Sequence, residues 1–305
     1  MSHTRGKILV IRGGAIGDFI LTLPVFAALR RQFPQAHLEV LGYPHIAQLA
    51  LAGAAVDQVR SIDSRPLAGF FARDGALDPS LADYFAGFAV IVSYLYDPDE
   101  IFQSNMRRCS AAQFIVGPHR PDEKLALHAT EAFLKPLERV AICDADPVPV
   151  LSLNPQPSTL NQLALHPGSG SERKNWPEEN WMRLIQHLQT ATRFSFLLVG
   201  GEAEMGRLRR LSALFRPDRL ELAQCLPLAD LARRMQACLG YIGHDSGISH
   251  LAAALGLPVL VLWGETKENV WCPRGERVTL IRSPEGLQGL PVERVLDHLG
   301  RFLPA

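Results

Sequence analysis

Twice in this chain a short apolar run gives way to a glycine-bearing polar turn and then to a helical pattern. Residues 8–11 lead into Arg12-Gly13-Gly14-Ala15-Ile16-Gly17-Asp18, and residues 239–243 lead into His244-Asp245-Ser246-Gly247-Ile248-Ser249-His250 and the helix-like run 251–255. A strand that turns sharply into a helix is the building unit of a parallel α/β sheet. The free N–H groups and dipole at such a helix start suit a phosphate. Helix capping by Asp245 or Ser246 would explain those two residue types equally well.

The same alternation runs through two halves. In the first, residues 7–11, 37–41 and 88–94 read as strands, and 18–33 and 123–137 as helices. Pro24 is comfortable only in a first turn, so either a separate turn forms at Asp18 or the helix kinks near Leu23. Residues 61–80, with Arg60, Arg65 and Arg73 in or beside them, read as an irregular surface insertion. Prolines 147, 149, 155 and 157 then crowd into residues 144–149 and 154–158 and mark a linker. Beyond it the pattern restarts: strands at 162–165, 194–199 and 257–262, helices at 177–188, 202–214, 228–237 and 291–302. The expectation is two doubly wound α/β domains, residues 1–153 and 161–305. If they face each other, the carboxyl ends of both sheets, where such folds bind ligands, meet at one cleft.

Composition narrows the classes of function. Among 305 residues, 31 basic side chains balance 31 acidic ones, so no global field favours nucleic acid or an anionic membrane. The five cysteines are scattered without a C-x-x-C pair and read as free thiols of a reducing compartment. No apolar run approaches the roughly 18 residues of a membrane span, and residues 1–5 are too polar for a secretory leader. The chain reads as cytoplasmic, with at most peripheral membrane contact.

Three loops after strands hold the candidate chemistry. In the first, Gly13, Gly14 and Gly17 permit a tight turn and close ligand approach. Their spacing matches neither G-x-G-x-x-G nor a Walker A loop. Its carboxylate, Asp18, is either a functional group at the sheet end or a partner of the helix dipole. The second, His166-Pro167-Gly168-Ser169-Gly170-Ser171-Glu172-Arg173-Lys174-Asn175-Trp176-Pro177, combines N–H and hydroxyl donors at Ser169 and Gly170 with the cations Arg173 and Lys174, which suit a departing phosphate; a solvated polar connection is the plainer reading. The third, Val199-Gly200-Gly201-Glu202-Ala203-Glu204, offers Glu204 as an acceptor for ribose hydroxyls. His244 and His250 lack a third ligand at a metal-site spacing. Asp97-Pro98-Asp99 and Asp144-Ala145-Asp146 spell D-x-D, a pairing cheap by chance.

These motifs, in this order, resemble glycosyltransferase family 9, the ADP-heptose:lipopolysaccharide heptosyltransferases. The resemblance rests on Ile8-Leu9-Val10-Ile11 with Gly17-Asp18 and Leu23-Pro24, then His166-Pro167-Gly168 with Lys174-x-Trp176-Pro177, then Asp245-Ser246-Gly247-Ile248-Ser249-His250-Leu251. It implies a GT-B fold of two Rossmann-like domains facing across a cleft, and inverting, metal-independent transfer of heptose from ADP-heptose to a lipid-linked saccharide acceptor of the lipopolysaccharide core, with no cofactor. It places the catalytic base at Asp18 and the cation for the leaving diphosphate at Lys174. It puts the nucleotide-diphosphate motif at Asp245, Ser246, Gly247 and His250, and a ribose-binding carboxylate at Glu204. Membrane contact, if any, would fall at the cytoplasmic face of the inner membrane.

The chemistry asks for these residue types independently. Inversion needs a base on the acceptor hydroxyl opposite the leaving group. A diphosphate leaves readily once lysine and helix N–H groups neutralise it. The chain departs from the family at Gly13 and Gly14, where a hydroxyl residue is common, and at Gly264-Glu265-Thr266-Lys267-Glu268-Asn269, which replaces a Gly-Pro-Thr-Asp-Pro turn. Arg60, Arg65, Arg107, Arg108 and Arg120 are either contacts for an anionic acceptor or solvated surface charge. Two other classes are a sugar-nucleotide epimerase of similar build and a non-catalytic sugar-nucleotide-binding module. An NAD enzyme fits least: Glu39 follows Gly17 at about the right distance but lies inside a strand pattern, and the glycine spacing is wrong.

Overall fold

The structure is a computed structural model that describes residues 6–154 and 161–302. The chain divides into two compact units at Pro147/Val148. Within the expected linker, Pro155, Gln156, Pro157 and Ser158 lie outside the described residues.

The first unit runs β1 (Lys7–Arg12), α1 (Ile16–Ile20), α2 (Leu23–Gln32), β2 (His37–Gly42), α3 (Pro44–Ala52), β3 (Gln58–Ser61), α4 (Pro79–Ala86), β4 (Val90–Ser93), α5 (Ile101–Arg107), β5 (Gln113–Val116) and α6 (Ala129–Leu134). Its five strands are parallel in the order β3-β2-β1-β4-β5. Five of the six residues of β1 are buried because helices cover both faces of a parallel sheet. Pro24 is accommodated by a fresh helix start. Thr22 precedes α2, its hydroxyl donates to Asp18 O (2.8 Å), and α1 remains a short turn of its own.

Two expectations need correction. Residues 61–80 are not merely a surface insertion: a 3-10 turn over Arg65–Phe71 buries Leu67 and Phe70 in the core, where Phe70 meets Phe85 edge-on at 5.0 Å. Asn105 Nδ2 donates to the carbonyls of Phe70 and Ala72, which ties the segment down. Arg65 and Arg73 do stay exposed. The helix expected over 123–137 begins only at Ala129, where His128 Nδ1 accepts from Thr130 N. It becomes a 3-10 turn at Lys135–Val140, because Pro136 has no N–H to continue an α-helix.

The second unit runs β6 (Gln162–His166), α7 (Glu178–Ala191), β7 (Ser195–Gly200), α8 (Met205–Ser212), β8 (Leu220–Gln224), α9 (Leu228–Gln236), β9 (Gly240–His244), α10 (Gly247–Ala254), β10 (Val259–Leu262), α11 (Glu268–Trp271), β11 (Val278–Ile281) and α12 (Val292–Phe302). Six parallel strands lie in the order β11-β10-β9-β6-β7-β8. Trp176, Trp181, Phe196, Ile242 and Leu260 belong to its core. Each sheet reverses its strand order once, between β1 and β4 and between β6 and β9. At such a reversal, loops on the two sides diverge and leave a crevice at the carboxyl ends of the strands.

Candidate functional site

In the second unit, β6 and β9 run side by side with His166 opposite Gly243, so the loops that follow them flank the reversal. Lys174, in a 3-10 turn over Glu172–Lys174, extends Nζ to 2.7 Å from Asp245 Oδ2. The lysine side chain is 42% exposed and the aspartate 9%, so the cation sits at the mouth and the carboxylate beneath it. The Thr266 hydroxyl donates to the same Oδ2, and Trp263 Nε1 fixes the Thr266 carbonyl at 2.8 Å. The turn that departs from the family pattern therefore supplies the second partner of Asp245.

Capping is not what Asp245 and Ser246 do with their side chains. Ser246 is the N-cap of α10 but makes no side-chain cap bond. Its hydroxyl turns inward to His166 Nδ1 at 3.3 Å. The helix start is left without a side-chain acceptor, an arrangement suited to an external anion. Gly247 is the first helical residue, and His250 is buried one turn on. Below them the Ser249 hydroxyl donates to His244 O, and Tyr241 Oη lies 3.0 Å from Ser249 Oγ and 3.3 Å from His166 Nδ1. Burial pushes the His166 pKa down to about 4 and that of His244 to about 3, so both rings are neutral near pH 7.

Glu204, also buried, joins the loops after β6 and β7: Oε1 accepts from Gly170 N (3.2 Å) and Oε2 from Gly201 N (2.9 Å). A Cβ on Gly168 would stand 2.1 Å from Glu204 Cγ, so only glycine fits there. Gly170 adopts φ +71° at an exposed position, and Ser169 Oγ lies 2.8 Å from Asn175 Oδ1. Arg207, which sequence reasoning passed over, donates to Pro167 O (3.0 Å) and pairs with Glu172. No local motif announces it, because its partner is a backbone carbonyl 40 residues away. Arg173 is exposed beside Lys174.

Asp18 belongs to the first unit, at that sheet's own reversal. There it borders a cavity of about 480 Å³ with Gly13, Gly14, Tyr94, His119 and Arg120. Its Oδ2 accepts from Ala15 N (3.2 Å), the helix-start contact expected of an acid in a first turn. Its Oδ1 lies 3.6 Å from Arg12 Nη2, and the side chain is 25% exposed above an arginine that is 2% exposed. Arg12 in turn donates to His119 O (2.9 Å) and Asp18 O (3.2 Å) and lies over the Phe133 ring at 4.5 Å. Gly14 has φ +100°, and a Cβ there would stand 3.0 Å from Asp18 Oδ2, whereas Gly13 has ordinary space around it. Gly17 lies inside α1, its carbonyl accepting from Leu21 N (2.9 Å).

Of the five arginines considered for an anionic acceptor, Arg120 lines this cavity. Arg60 stacks on Tyr84 at 4.0 Å, Arg108 bonds Gly75 O and Asn105 Oδ1, and Arg65 and Arg107 are exposed. Asp97 of the first D-x-D accepts from the N–H groups of Phe102 and Gln103 and so caps α5.

Two parallel α/β units, each with polar residues gathered at its strand-order reversal, define a glycosyltransferase-like architecture of the GT-B type. The family model for glycosyltransferase family 9 (heptosyltransferase) matches residues 133–293, and the chain belongs to that family. It is 32% identical over 127 residues to lipopolysaccharide heptosyltransferase 1 of Escherichia coli K12, a match covering 41% of this chain and 39% of that relative. Among solved structures, a family 9 glycosyl transferase from Veillonella parvula aligns with a TM-score of 0.79 at 17% identity, covering 99% of this chain and 98% of the other. The E. coli heptosyltransferase WaaC aligns at 0.77 and 19% identity, covering 97% and 99%. These likenesses share the fold of two Rossmann-like domains.

Proposed function

We propose that the chain is a glycosyltransferase that moves heptose from ADP-heptose to a saccharide acceptor of the lipopolysaccharide core, inverting the anomeric centre without a metal ion. The observation that carries this reading is the Lys174–Asp245 pair at the mouth of the second unit's reversal, beside an α10 start that has no side-chain cap. Asp18 takes the proton from the acceptor hydroxyl, whose oxygen attacks C1 of the donor sugar. The C1–O bond to the diphosphate breaks and its electron pair leaves with ADP. Lys174 and the α10 N–H groups receive the charge, the task a metal performs elsewhere. Glu204 accepts from the ribose hydroxyls, and Ser169, Gly170, Ser246, Gly247 and His250 line the nucleotide-diphosphate path.

Relatives support this donor: WaaC has been solved with ADP and with ADP-2-deoxy-2-fluoro heptose. The family assignment does not favour the epimerase or the non-catalytic module. Among the described residues no helix is long and apolar enough to cross a membrane. We place the enzyme at the cytoplasmic face of the inner membrane, in peripheral contact with its lipid-linked acceptor.

Thermal stabilisation by a panel of nucleotide sugars tests the donor, since a ligand raises stability by RT ln(1 + [L]/Kd). ADP-heptose is expected to stabilise more than UDP- and GDP-sugars, and transfer to a core acceptor is expected to persist in EDTA. A preference for UDP-sugars overturns the ADP-heptose assignment, and loss of transfer in EDTA overturns metal independence.

A further inference from the structure

His244 takes no part in the chemistry above, yet it is wholly buried at the end of β9, immediately before Asp245. Its Nε2 lies 2.9 Å from Trp176 N and 3.4 Å from Trp181 Nε1. Both of those groups are obligate donors, so Nε2 must present a lone pair. The ring hydrogen is then on Nδ1, which donates to Gly168 O at 3.2 Å. A single tautomer satisfies all three contacts, and burial keeps the ring neutral.

Gly168 and Trp176 bracket the loop that carries Ser169, Gly170 and Lys174. One imidazole therefore grips both ends of that loop through its backbone, while the next residue, Asp245, grips Lys174 in its middle. The anchor is itself fixed. Trp176 Nε1 donates to Leu290 O (2.8 Å), and its ring meets Trp181 edge-on at 5.7 Å; Trp181 in turn stands edge-on to the His244 ring at 5.5 Å. Glu204 holds the loop at Gly170, Arg207 holds it at Pro167 just before it and at Glu172 midway, and Gln288 Nε2 donates to Asn175 O (3.4 Å), so of these anchors His244 alone reaches both ends.

We infer that His244 is a positioning residue for donor binding: it clamps both ends of the 168–176 loop so that Lys174 is held ready for the diphosphate. A residue that served only as core filling would be replaced without functional effect by another flat ring. A clamp needs one acceptor and one donor about an imidazole's width apart, which a glutamine amide also offers and a phenyl ring does not.

The test compares full-length wild type with His244→Phe and His244→Gln at a temperature where circular dichroism shows all three folded. One arm follows trypsin cleavage after Arg173 and Lys174 under native conditions, which reads loop opening. The other measures ADP, UDP and GDP affinity by calorimetry. His244→Phe leaves Trp176 N–H and Gly168 C=O unpaired, so cleavage is expected to quicken by about tenfold or more and affinity for the preferred nucleotide to fall by about the same factor. His244→Gln is expected to stay close to wild type in both. Should the Phe variant not fold, His244→Asn, whose shorter amide reaches Gly168 but not Trp176, is expected to raise cleavage to an intermediate rate. Unchanged cleavage and affinity in His244→Phe, unchanged cleavage in the Asn substitute, or a Gln variant as impaired as the Phe variant, overturns the clamp. The calorimetric arm rests on the glycosyltransferase reading and the cleavage arm does not. If wild type binds none of the nucleotides, that reading fails while cleavage still decides the role of His244.

Discussion

The two sheet reversals carry opposite kinds of site. In the second unit the polar groups are already tied to one another: Lys174 and Thr266 to Asp245, Glu204 to two glycine N–H groups, His244 to both ends of a loop. In the first unit the corresponding position is a hollow of about 480 Å³, with the partly exposed Asp18 carboxylate over the buried Arg12. Group transfer asks for this asymmetry. A leaving diphosphate is best stabilised by donors fixed in advance, which spend no reorganisation at the moment of reaction. An acceptor hydroxyl needs room to enter and a base with a lone pair still open.

The strongest test of that contrast is Asp18→Asn. Asparagine keeps an oxygen for the Ala15 N–H but cannot take a proton, so helix-start and base roles separate. Transfer is expected to fall by about 10²–10⁴-fold, with nucleotide affinity and melting temperature little changed. Full activity would sink the base assignment. Lys174→Met keeps the aliphatic stem and removes the charge. Its kcat is expected to drop by about 10²–10³-fold, since one stabilising donor at a developing charge is worth that much; single-turnover kinetics provide the measurement.

Gly168→Ala probes how tightly the second site is tied. The new Cβ would stand 2.1 Å from Glu204 Cγ, and overpacking of this kind costs about 1–3 kcal/mol. Chemical denaturation is expected to show that loss, together with weaker nucleotide binding. The same substitution at Gly13, where a Cβ meets its nearest neighbour at 3.8 Å, is expected to be nearly neutral for stability.

Acid should distinguish the units as well. The folded-state pKa values of His166 and His244, about 4 and about 3, lie below the ordinary 6.5, so the unfolded chain binds more protons in between. Stability from these rings is therefore complete above about pH 6.5 and is lost as pH falls toward 4 and then 3. All four tryptophans, Trp176, Trp181, Trp263 and Trp271, lie in the second unit, so their fluorescence reports on that unit. Its melting temperature is expected to decline from pH 7 to pH 4.5, and a flat profile would contradict the buried neutral rings. A modest effect is expected of Asp97→Ala, which removes the α5 cap at a cost of about 1 kcal/mol without altering transfer.

Sequence reasoning located a loop at each reversal, though not the reversal itself, because each such loop combines an apolar strand with a glycine-bearing turn and a helix start. Lys174, Glu204 and Asp245 lie in the connections that follow β6, β7 and β9, and Asp18 in the short helix α1 that follows β1. Elements without clean periodicity were harder to read. The short strands β3, β5, β8 and β11 escaped detection, as did the helices α3, α4, α5 and α11. The 3-10 turn over Arg65–Phe71 reads as surface in the sequence, since its apolar residues follow neither the helical nor the strand period. Partnerships across long separations left no trace in the sequence. Thr266 meets Asp245 from 21 residues away, and His244 meets Trp176 from 68. That two histidines bracket Asp245-Ser246-Gly247 exceeded what a cap requires, but only the fold shows that the first of them serves the neighbouring loop.

The lysine at the mouth of the second site is not waiting as a bare positive charge. Asp245 already takes one of its three N–H donors at 2.7 Å, which leaves two for a ligand. In the function proposed above, one phosphoryl group of a diphosphate joins the carboxylate on the ammonium while the other reaches the start of α10. The carboxylate then serves as a mooring: it uses up one donor and keeps the other two within reach of the helix start.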